Sequence, residues 1–197
     1  MALSETSICN MALAKIGSKR INNITDATLE AIHARLHYEQ ARDSLLRLGC
    51  WRFATARAVL SQDTTAPAFE WDAAFILPSD FLKLKSLYGT SASYALEGNR
   101  LLTNDGEASL VYIRKVTDPV EFDALFVECL VLSLALRLVM PLAQDKSLLN
   151  MLHGELSQML MQAKTTDRQE QNTVGRTNLG TWNDARGGSV DPAHMGS

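Results

Sequence analysis

The chain has 197 residues, of which 46% are hydrophobic and 21% charged, and its net charge is −3. These are ordinary values for a soluble globular protein, and a slightly acidic chain does not bind nucleic acid through one broad basic surface. At this length a single domain buries about 70% of the surface its unfolded form exposes, so a core forms without metal or disulfides.

Cys9, Cys50 and Cys129 are odd in number, widely spaced and free of any CxxC pair. That argues against a disulfide framework or a zinc site and for a reducing compartment. Residues 1–17 lack a basic leader and a long apolar run, so they are not read as a signal peptide.

Ser4 to Ile16 reads as a first helix, with Ser4 as N-cap and Gly17 as the residue past its end. Ile8, Met11, Ala12 and Lys15/Ile16 follow helical spacing. Thr25 or Asp26 then caps a longer helix that ends at Gly49. Leu29, Ile32, Leu36, Ala41, Leu45 and Leu48 form its expected apolar stripe, and Arg35, Glu39, Arg42 and Arg47 lie on other faces.

After Gly49 the texture changes. Trp51, Phe53, Val59 and Leu60 sit in a segment too irregular for a helix. Residues 71–77, the period-two run Leu82-Lys83-Leu84-Lys85, Tyr94 to Leu96, Leu101 to Thr103 and Leu110 to Val116 read as strands. Turns fall at Glu97-Gly98-Asn99 and at Asn104-Asp105-Gly106, where Asp-Gly suits a type I′ hairpin. Residues 71–116 are therefore expected to form a small antiparallel meander, with its longest strand at 110–116.

Asp118-Pro119-Val120-Glu121 is the clearest helix start: a carboxylate cap, proline at N1 and glutamate at N3. The helix runs to about Met140, is apolar nearly all round, and ends or kinks at Pro141. Glu128 and Arg137 interrupt it, which favours a core helix over a membrane span. They are read as a polar edge facing a partner or the arginines of the second helix, in preference to a buried charge site. Asp145 caps a last helix with Leu148, Leu152, Leu156, Met159 and Ala163 in its stripe.

From 171 to 189 the chain is polar and glycine-rich, and it is read as an extended tail that gains order only on a partner. Residues 190–197 end in His-Met-Gly-Ser and are read as a cloning remnant. The expected architecture is α+β, mainly α. A four-helix bundle-like core (two N-terminal helices at about 4–16 and 26–48, two C-terminal at about 119–141 and 145–169) carries the inserted meander, and the whole of 1–170 is one domain.

Chemistry-bearing motifs are few. His33 and His37 share a helix face at metal-ligand spacing, but no third ligand stands at a convincing distance and the catalytic glutamate of a zinc-protease helix is missing. No glycine-rich loop follows a strand and opens a helix, so no phosphate cradle is read. Ser79-Asp80 reads as a turn. No catalytic, cofactor-binding or metal residue is assigned, and the chain is not read as an enzyme.

The order of features carries a resemblance. Ala14-Lys15-Ile16-Gly17 ends the first helix and Leu45-Leu46-Arg47-Leu48-Gly49 ends the second. Cys50-Trp51-Arg52-Phe53-Ala54 follows, then Leu77-Pro78-Ser79-Asp80-Phe81-Leu82 and the meander. Tyr112-Ile113 through Thr117-Asp118 leads into the apolar helix. Over about residues 3–170 this resembles the tail tubular protein A family of short-tailed bacteriophages and related head-tail adaptors.

The resemblance implies a structural virion protein of the neck or tail, present in the host cytoplasm during assembly. Its partners would be the portal protein, a downstream tail or nozzle protein and copies of itself in a ring, a dodecamer in the virion. The ring would continue the channel for double-stranded DNA without sequence-specific binding, and no membrane is involved. Trp182, Arg186, Asn183 and Arg176 in the tail are the expected interface residues, since tryptophan and arginine are frequent interface anchors. The competing reading is a small-ligand or regulatory module with a pocket between the bundle and the β insert.

Overall fold

The computed structural model describes residues 3–88 and 93–171. Helix α1 spans Glu5–Lys15. Ser4 and Ser7 cap it reciprocally, each side chain meeting the other's backbone N–H. At its end Gly17 takes φ +69°, and the N–H groups of Gly17 and Ser18 donate to the carbonyls of Ala14 and Leu13, a Schellman closure that suits glycine at the left-handed position. Asn10 holds the connector by bonding both the N–H and the C=O of Ile21.

Helix α2 spans Leu29–Leu48 and is capped by Thr28. The start lies later than Thr25 or Asp26 because both are engaged in the connector: Asp26 accepts from the N–H groups of Asn22 and Asn23, and Thr25 bonds Asn23. Gly49 closes α2. The Trp51 indole folds back over that end and donates from Nε1 to the Leu45 carbonyl at 2.9 Å.

The β region is wider than expected and is not a meander. It has strands β1 (Thr55–Val59), β2 (Ala73–Ile76), β3 (Phe81–Tyr88), β4 (Tyr94–Glu97), β5 (Arg100–Thr103) and β6 (Ser109–Arg114). They form two antiparallel sheets, in the orders β1-β6-β3 and β2-β5-β4. The tight hairpin is at Gly98-Asn99, between paired strands β4 and β5, with Gly98 at φ +59°. Asn104-Asp105-Gly106 carries the chain from one sheet to the other, so it is not a hairpin turn. The strand expected to be longest, at 110–116, is β6 and has six residues, and among the described residues β3 is longer with eight.

Strand β6 is central, and both of its faces are covered. Ile113 joins the helical core, while Leu110 and Tyr112 face a second core with Phe75, Leu77 and Leu101 from the other sheet. Burial on both faces removes the polar alternation of a half-exposed strand.

Asp118 caps only the 3-10 turn Pro119–Glu121. Helix α3, Ala124–Leu138, begins later with Asp123 as its cap. Glu121 pairs with Arg114 instead of reaching back to the cap. A single π-helical turn, Val139–Ala143, follows at Pro141, and Gln144 then takes φ +55°. Helix α4, Lys146–Gln171, starts at Asp145, whose carboxylate accepts from the N–H groups of Ser147 and Leu148.

The bundle expectation fails here. Helices α1, α2 and α4 each pack on α3, and α1 touches α2 only lightly. An all-round apolar helix takes a neighbour on every side, so α3 is a hub and not one corner of a four-helix square. The fold is a mixed α+β one, with a helical layer around α3 and two three-stranded sheets. Ala124–Ala143 is long and apolar enough to cross a membrane, and more than half of it is buried within this fold.

Candidate interaction surfaces

Helix α2 has two apolar faces. Ala31, Ala34, Tyr38, Ala41, Leu45 and Leu46 are buried against the core. Leu29, Ile32 and Leu36 are 59%, 43% and 60% exposed. At about 100° per residue these three fall within an arc of roughly 60°, about half a turn from Tyr38 and Leu45. The expected single stripe therefore divides: Ala41 and Leu45 belong to the core face, while Leu29, Ile32, Leu36 and Leu48 are exposed. Alanines at 31, 34 and 41 let α2 approach α3 closely, Tyr38, Leu45 and Leu46 fill the rest of the core face, and Leu29, Ile32 and Leu36 point outward. The other departure from the expected pattern is Arg42. It is 2% exposed and sits on the core face.

Arg42 is compensated in part, since its Nη2 is buried without a hydrogen-bond partner. Its Nε donates to Asp43 Oδ1 at 2.8 Å, and Lys115 Nζ donates to Asp43 Oδ2 at 3.0 Å. Burial works to raise the Asp43 carboxyl, but the hydrogen bonds and charges of Arg42 and Lys115 outweigh it and hold the group below the usual carboxylate range.

A groove of about 570 Å³ lies among α1, α3 and α4. Met11, Val127, Val131, Leu132 and Met159 form its apolar walls, and Glu128 and the Lys15–Glu155 ion pair (2.6 Å) supply charge. Met11, expected on the core face of α1, is instead exposed and part of this wall. Glu128 is exposed, and among the described residues it has no ion pair. A second groove of about 500 Å³ lies along β1, β6 and β3, with Arg57, Val59, Tyr88 and Val111 in its lining.

His33 and His37 are half-buried neighbours on α2, and the Nδ1 atom of each is buried without a hydrogen-bond partner. Burial, then the charge of Arg137, then His33 push the His37 pKa down. The Arg137 charge therefore acts on His37 of the second helix. Among the described residues no three metal-ligating side chains come together. Ser79-Asp80 is a turn: Phe81 N–H donates to the Pro78 carbonyl, and Asp80 Oδ1 accepts from the Tyr112 hydroxyl at 2.9 Å.

The buried thiols behave as small apolar groups. Burial, with Glu5 nearby, pushes Cys9 up to about 12, and burial beside Glu128 pushes Cys129 up to about 11. The expected interface residues Trp182, Arg186, Asn183 and Arg176 lie outside the described residues.

No protein-family model matches the sequence, and comparison with curated proteins finds no match either. The outward α2 stripe escaped sequence reasoning because its residues fit a helical period equally well as core. The telling signal was the alanine set at 31, 34 and 41, which marks the close-packed face.

Proposed function

We propose that this chain is a structural subunit of a head-to-tail adaptor ring, seated between a portal and the downstream tail and continuing a DNA channel. The observation that carries the reading is the outward apolar stripe Leu29-Ile32-Leu36 on α2. A contiguous apolar stripe of this kind on the surface marks a place for a partner.

The two steps behind the family resemblance support it structurally. Gly49 to Phe53 ties α2 to the aromatics of α3: Trp51 and Phe53 both meet Phe126 edge-on, at 5.0 and 5.1 Å between ring centroids. Leu77 to Leu82 ties the sheets to the helices. Arg47 donates to the Leu82 carbonyl at 2.7 Å and Lys83 donates to the Arg47 carbonyl at 3.1 Å. The first step holds α2 on α3, and the second joins the helical layer to β3.

Electron microscopy of the purified portal mixed with this protein tests the reading. Rings on the portal are expected. Failure to form any complex across salt and protein concentration overturns it. The small-ligand reading requires a ligand pocket between helices and β region, and the two grooves above lie elsewhere. Ligand-dependent stabilisation in a thermal screen would favour that reading instead.

A further inference from the structure

We propose that copies of this chain associate head to tail, with the outward stripe of α2 on one copy seated in the α1–α3–α4 groove of the next. This rests on the adaptor-ring reading and names the surfaces that make its lateral contact.

The stripe points away from α3. The groove is walled by residues of α1, α3 and α4, and none of its described lining residues belongs to α2. Ridge and groove are therefore separate surfaces of one copy. A two-fold contact of stripe on stripe leaves the groove open. A heterologous contact covers both surfaces at every junction and closes a ring when the rotation permits.

The charges of the two surfaces are complementary. Glu128 in the groove has no ion pair among the described residues, and neither has Arg35, the exposed cation that flanks Ile32 and Leu36. Glu39 lies one turn beyond Arg35, and Lys15 lies on the groove rim, held by Glu155. Seating α2 in the groove brings Arg35 to Glu128 and Glu39 toward Lys15. The apolar walls of the groove then cover Leu29, Ile32 and Leu36.

Thiol cross-linking reads the pairing directly. In a Cys50→Ser background, which removes the exposed cysteine, Leu36→Cys and Met159→Cys proteins are mixed under mild oxidation. Disulfide-linked dimers are expected from the mixture and from neither variant alone. Dimers of Leu36→Cys with itself show a stripe-on-stripe contact and overturn the proposal. So does cross-linking that appears only after residues 172–197 are removed, because the chain's own end is then the occupant.

Sedimentation and portal-bound ring formation supply the second arm. Arg35→Glu and Glu128→Arg are each expected to weaken association by about tenfold, as a like-charge clash in a contact does, and the two together to restore it. Rings that form unchanged with either single variant overturn the pairing and leave the adaptor reading standing. If the unaltered protein forms no assembly at all, both fall.

Discussion

Gly49 shows how one residue sets the junction between helices and sheets. A Cβ at this position would lie 2.3 Å from the Trp51 indole nitrogen, closer than any packed carbon tolerates. Gly49→Ala should therefore displace the indole from the Leu45 carbonyl and from Phe126. The expected loss is about 2 kcal/mol, one buried hydrogen bond and one aromatic pair, read as a lower Tm and a red shift of Trp51 fluorescence. His37 makes a second prediction at this scale. Its folded pKa lies below the unfolded value, so the unfolded chain binds the proton first as pH falls, and stability drops from about the unfolded pKa of 6.5 down to the folded one. Tm should decline as pH falls below about 6.5 in the unaltered protein and decline less in His37→Gln.

At the scale of elements, α2 is the informative case. Its two faces predict opposite responses to substitution. Leu45→Ala, in the core, should cost about 2–5 kcal/mol, while Leu36→Gln should stay within roughly 0.5 kcal/mol because surface changes are nearly neutral. Denaturant melts of the two variants decide the face assignment. Helix starts divide in the same way. Ser4 and Asp145 cap where the sequence places them, whereas Asp118 spends its carboxylate on a 3-10 turn and Asp123 caps α3. Asp123→Ala should cost about 1 kcal/mol and lower the Tm more than Asp118→Ala. Cap chemistry is local, so it is legible, but two aspartates five residues apart offer the same chemistry and only the packed length of α3 chooses between them.

At the scale of the molecule, the protein has two cores joined through β6. The helical core draws on described residues as far as Ala163 and the sheet core only as far as Tyr112. A chain ending at Gln171 should therefore keep its Tm within a few degrees, and a large drop would place residues beyond 171 in the fold. The glycines at 17, 49 and 98, the caps Ser4 and Asp145, the all-apolar run of α3 and the strand-forming runs at 82–85 and 110–113 depend on contacts within a few residues and were legible in the sequence alone. What only the tertiary structure decided depends on partners far along the chain. Strand β1 joins a sheet because β6 reaches it from more than fifty residues away. The connector at 104–106 changes sheets, α3 takes three helical neighbours, and Leu29, Ile32 and Leu36 of α2 face outward because Ala31, Ala34, Tyr38, Ala41 and Leu45 hold the core side. An apolar residue carries no mark of whether its own chain or another copy will cover it, so the surface proposed to build the ring became visible only once the helices were in place.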